Sequence, residues 1–149
     1  MGNGTEFWYT THQMKYLVDL QLILDVLEGE TDGAKGAMTL LEKHRADELV
    51  LAPTSYVTLG PFFMGIQSMQ DRFLGNLGVK VAETAPATVL DAAYSAWSRY
   101  QKENPADRGG GGAFDRLYVG AYALLFDGIL TRNGGFYRAY FETLNIVDS

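Results

Sequence analysis

The feature that most limits what this chain can fold into is the shortness of its apolar runs. "KYLV" (15–18), "LVLA" (49–52), "GVKVAE" (78–83), "GILT" (128–131) and "LNIV" (144–147) are only four to six residues each, and helical patterns stand between them. Runs of that length suit strands, and strands alternating with helices predict a parallel sheet covered by helices on its faces. The expected fold class is therefore α/β, a three-layer α/β/α sandwich with a mainly parallel central sheet. "LQLILDVLEG" reads as a helix closed by Gly29. Residues 32–45 put Ala34, Ala37, Met38 and Leu41 on one helical face. A helical region from about Thr54 to Asn76 contains Pro61, which should kink or divide it. Pro86 stands near the start of a long helix to about Asn104, apolar at Val89, Leu90, Ala93 and Trp97. "PADRGGGGA" (105–113) reads as a flexible loop, residues 114–126 as a strongly apolar helix, and "GFYRAYFE" (135–142) as a short one.

The 149 residues suit one compact domain. Residues 1–13 have no clear period and precede a second methionine, so they are expected to be an extension or leader, with the domain spanning 14–149. There are no cysteines, hence no disulfide framework and no cysteine-based zinc site. His12 and His44 are far apart, which argues against imidazole-based zinc chemistry. Asn3-Gly4-Thr5 fits a glycosylation pattern, but no secretory signal precedes it. The longest apolar run, "LYVGAYALLF" (117–126), is too short to span a bilayer, so a cytoplasmic location is the expectation. A net charge of −6 argues against strong non-specific nucleic-acid binding, which depends on Lys and Arg releasing counterions.

In open parallel sheets, ligands bind beyond the carboxyl ends of the strands. Asp19 stands at such an end. Asp115 follows the glycine-rich loop and begins an apolar helix, where capping and the helix dipole are a sufficient reason for it as well. "GILT" continues into Thr131, Arg132 and Asn133 at the same edge. Arg116 and Arg132 flank that edge as candidate phosphate contacts; an exposed helical position for Arg116 and a neighbouring ion pair for Arg138 serve as well. Thr131 either orients a neighbour or ends its strand. Glycines 109–112 lack the following Lys-Ser or Lys-Thr of a phosphate-binding loop. The aromatic set Phe62, Phe63, Tyr94, Trp97, Tyr118 and Tyr122 falls at helical spacing, which favours core or dimer packing over base stacking.

This ordering resembles a PIN domain, the fold of VapC-type toxin ribonucleases. The likeness runs from Met14 to Ser149. Its first part is an apolar strand into "VDLQLILDVLEG", similar to the family's Asp-Thr-Asn opening and apolar helix. Its second part is "FDRLYVGAYALLFDGILTRNGGFYRAYFETLNIV": an acid-led helix, a strand into Thr-Arg, a Gly-Phe-Tyr helix start and a last strand. The resemblance implies a metal-dependent endoribonuclease whose acids gather Mg²⁺ or Mn²⁺. Asp19 and Asp115 match the first and third family acids and are the implied metal ligands. Thr58 stands at the position of the second and Asn133 at that of the fourth, both neutral. Leu20 and Gln21 replace the opening's hydroxyl residue and Asn. Arg116, Thr131 and Arg132 are the implied substrate contacts. RNA, an antitoxin-like protein and a second copy in a homodimer are the implied partners.

A second reading keeps the same fold as a binding or regulatory module with a weakened metal site, consistent with the two neutral substitutions. A third, a phosphoacceptor receiver, wants an acidic pair after the first strand and a late Lys. Asp19 has no adjacent acid, and "ILTRN" offers Arg.

Overall fold

A computed structural model describes residues 13–83, 85–107 and 113–148. Residues 1–12 of the expected leader and most of the glycine-rich loop lie outside the described residues. Five strands form one sheet in the order β3-β2-β1-β4-β5: β1 Lys15–Val18, β2 Glu48–Leu51, β3 Val79–Val81, β4 Gly128–Leu130 and β5 Ile146–Val147. Every pairing is parallel, with Leu17 opposite Val50 on one side and Ile129 on the other. The expectation of a mainly parallel sheet is met by one that is parallel throughout.

Seven α-helices are seen among the described residues. They are α1 Leu20–Leu27, α2 Asp32–Lys43, α3 Pro53–Thr58, α4 Gln67–Asn76, α5 Ala87–Glu103, α6 Ala113–Ala123 and α7 Gly134–Tyr140. Pro61 divides the third helical region as expected: a 3-10 helix over Gly60–Phe63 separates α3 from α4. Gly29 follows α1 at φ +87°, a left-handed conformation that glycine adopts without a Cβ clash and that lets the chain turn back towards α2. Pro86 is the N-cap of α5.

Several boundaries differ from those expected. Ala52 leaves the second strand to become the N-cap of α3, because Pro53 suits a first helical turn and has no N–H for a ladder. The apolar helix begins at Ala113 and stops at Ala123. Its continuation tightens into i→i−3 bonds, Leu125 N–H to Tyr122 and Phe126 N–H to Ala123, and Leu124 and Leu125 are exposed.

Alternation along the strands divides the core in two. Tyr16, Val18, Leu49, Leu51 and Leu130 face α1, α2, the 3-10 helix and α4. Leu17, Val50 and Ile129 face α5, α6 and α7. Each central strand thus buries successive residues on opposite faces, which is why its apolar run is continuous rather than alternating. Of the aromatic set, Phe63 and Tyr122 are buried and Trp97 and Tyr118 half-buried, whereas Phe62 and Tyr94 are exposed. No helix among the described residues is long and apolar enough to cross a membrane.

Candidate functional site

The chain leaves β1 and builds outward to β2 and β3. It then returns over the other face to lay β4 against the opposite side of β1. The carboxyl ends of β1 and β4 therefore flank a topological switch point, where open α/β sheets leave a crevice. Asp19 and Thr131 are the residues that leave these two strands.

Asp19 finishes the sheet and starts a helix. Its N–H donates to the Leu130 carbonyl at 2.9 Å. Its side chain caps α1, accepting at long range, 3.4 Å, from the Gln21 N–H. Thr131 Oγ1 donates to Asp19 Oδ2 at 2.7 Å and accepts from the Asn133 N–H at 2.9 Å. A hydroxyl has a single proton, so accepting from Asn133 leaves that proton directed at the carboxylate. Asp19 is only 2% exposed. Burial raises its pKa above the ordinary carboxylate value, against the pull of the Thr131 and Tyr137 hydroxyls, the Gln21 N–H and the Arg116 charge.

Asp115 comes from the opposite side, in the first turn of α6. Its pKa is also raised, first by burial and then by the negative charge of Asp19, while Arg116 and the Thr54 hydroxyl draw it down. Asp115 and Asp19 are therefore close enough for the charge of Asp19 to be felt at Asp115 and for the two to share a counter-charge. They line one cavity of about 530 Å³ with Leu20, Gln21, Thr54, Thr58, Arg116 and Asn133, and Phe114 and Tyr118 add aromatic wall.

The cavity thus gathers Asp19, Thr58, Asp115, Arg116 and Asn133 from the sequence-based set. Thr58 turns its hydroxyl back to the Thr54 carbonyl at 2.8 Å, which occupies its proton. Arg116 is half-buried, not fully exposed. Its guanidinium carbon lies 4.5 Å from the centre of the Phe136 ring, and its Nε is shielded with no hydrogen-bond partner among the described residues. Thr131 stands behind Asp19 as its donor. Arg132 points away: its Nη1 donates to the Gly33 carbonyl at 3.0 Å and pairs with Asp25 at 3.3 Å. Arg138 pairs with Asp148 at 3.0 Å. Asp127 sits at the amino edge of the sheet, accepting from the Lys15 N–H at 2.7 Å.

Tyr137 carries no role in the sequence reading. It is wholly buried in α7, and its hydroxyl has no hydrogen-bond partner of good geometry among the described residues. Burial, and then the Asp19 charge beside it, push its phenol far above the ordinary range. It stays a neutral O–H whose dipole favours the ionised form of Asp19. The one available signal was its place inside "GGFYRAY", four residues beyond Asn133.

Among the described residues no group of three or more His, Cys, Asp or Glu side chains is placed to hold a metal. The donors present do fit a more modest role. Mg²⁺ is commonly held by one or two carboxylates, with waters and a substrate phosphate completing its shell. Asp19 and Asp115, each unfavourably charged beside the other, supply that much. No protein-family model matches the chain, and no curated protein does.

Proposed function

We propose that this protein is a PIN-like, Mg²⁺- or Mn²⁺-dependent endoribonuclease with a reduced acidic site. The observation that carries the reading is the pair Asp19 and Asp115, brought from residues 96 positions apart to one cavity at the sheet's switch point, each with a raised pKa. Burying two mutually repelling carboxylates is costly for folding and is a common mark of a site that works on a charged ligand. A divalent cation held by the two acids would polarise a phosphodiester and make an attacking water more acidic. The chain's own residues do the rest. Thr131 holds Asp19 in a single orientation, Tyr137 favours its ionised form, and Arg116 offers a positive charge to a phosphate oxygen. Asn133 contributes a neutral side chain at the cavity wall.

A second reading is a binding or regulatory module on the same fold. It is favoured by the lack of a third acid at the cavity among the described residues, and by the Thr58 hydroxyl being turned back on its own helix. Isothermal calorimetry of Mn²⁺ into the full chain separates the two. Under the nuclease reading, wild-type protein binds Mn²⁺ in the micromolar range, Asp19→Asn does not, and only wild type cleaves single-stranded RNA. No binding up to millimolar Mn²⁺ rules out the nuclease and leaves the module. A homodimer and an antitoxin-like partner belong to the proposal on resemblance alone.

A further inference from the structure

Resting on the nuclease reading, we infer that Phe114 is a nucleobase-stacking subsite at the mouth of the acid cavity, and that the RNA strand engaged there is unpaired. Phe114 lines the cavity and is nevertheless 59% exposed. It belongs to neither hydrophobic core. It is the residue before Asp115, so a phosphate held at the acid pair lies one side chain from its ring.

The ring is mounted rather than loose. It projects from the first turn of α6, and Trp97 of α5 meets it edge-on, with centroids 6.1 Å apart and planes 69° apart. Trp97 is in turn stacked on Tyr100 at 5.6 Å and 25°. An aromatic braced in this way loses little freedom when a base lands on it, while most of its surface remains open. Arg116, two residues further on, lies over Phe136 and supplies the cavity's positive charge.

Charge explains why stacking has to carry the affinity. The chain has a net charge of −6 and the cavity is acidic, so counterion release along the strand supplies little. Stacking on an aromatic ring does not depend on phosphate charge and accepts any base. A base within a duplex has both faces covered by its neighbours, so only an unpaired base can use the ring.

The test uses a fluorescein-labelled single-stranded RNA of about eight nucleotides, read by anisotropy with full-length Asp19→Asn protein, which is near-isosteric with wild type and removes one repelling charge. Adding Phe114→Ala should weaken binding roughly ten-fold, and Phe114→Tyr should preserve it. An abasic strand should bind equally to both backgrounds, at the weakened level. Phe114 is exposed, so its variants should keep the parent's circular dichroism. If Phe114→Ala leaves RNA binding unchanged, or a duplex binds as well as the single strand, the subsite is refuted while RNA cleavage by wild type still upholds the nuclease. If Phe114→Ala alters sedimentation and not RNA binding, the ring is a contact between copies and the subsite is again refuted. No RNA binding together with no cleavage overturns both.

Discussion

Asp19 is asked to do two things that conflict. As a helix cap and strand terminus it must be buried against β4, yet as the proposed metal ligand it must keep its charge. The Thr131 hydroxyl, 2.7 Å away, is the main concession to the second demand. Asp115 shows the balance more plainly, because a carboxylate in the first turn of a helix should be favoured by the dipole. Its pKa is raised all the same, because burial and the charge of Asp19 outweigh Arg116 and the Thr54 hydroxyl. The sign for stability follows. A carboxyl whose pKa rises on folding stabilises the fold fully below its unfolded pKa, and that stability is lost as pH climbs through the raised folded value. Asp115→Asn should therefore melt at a higher temperature than wild type at pH 7, with the gap closing by about pH 4. Saturating Mn²⁺ should reverse the order at pH 7 by stabilising wild type alone. Differential scanning calorimetry across pH, with and without the metal, checks both halves. At this scale the sequence was legible wherever chemistry was local. Asp19 and Asp115 could be picked out by their places at a strand end and a helix start. The Tyr137 role could not, because its place in a short helix after Asn133 does not show that its hydroxyl will be sealed beside an acid more than a hundred residues earlier. Arg132 misled in the opposite direction: its position beside Thr131 suggested the cavity, but side chains alternate in direction at a strand end, and its guanidinium went to α2.

At the level of elements, α6 is where sequence and packing meet most tightly. It carries Asp115 at one end, and along its length it must approach β4 and the segment after α7. Gly120 makes that approach feasible: a Cβ there would run into the Phe141 ring, which is itself buried. Ala has the better helix propensity by roughly 1 kcal/mol, but overpacking against a confined ring costs about 1–3 kcal/mol, so the clash should win. Gly120→Ala is expected to lower the urea midpoint, and Phe141→Leu in the same chain should recover part of the loss. If Gly120→Ala were stabilising, the Phe141 ring would have room to move that its burial denies. The sequence reading placed all five strands and most helices, because buried parallel strands leave unbroken apolar runs. It placed their ends less well. Pro53 decided one boundary and the 3-10 tightening after Ala123 another, and both depend on where backbone groups find partners rather than on hydrophobic period.

For the molecule as a whole, the order β3-β2-β1-β4-β5 means that residues up to about 83 build three adjacent strands, and those after build two helices that roof them and then the remaining sheet. The first part leaves Leu17, Val50 and Ala52 without their cover, and the second leaves Ile129 without a sheet to lie in. Expressed separately, segments 1–83 and 84–149 should each fail to unfold cooperatively. Expressed together they should copurify and melt as one unit, and only the reassembled pair should bind Mn²⁺. Cooperative unfolding of the first segment alone would show that its single covered face suffices. The same arrangement bears on synthesis in the cell. Asp19 is synthesised well before Asp115, which shares its cavity, and Thr131, which orients it. A nascent chain that stops short of Asp115 therefore carries only half of the proposed site. A protein proposed to act on RNA would in this way be inert until residues up to Thr131 have been made and folded against Asp19.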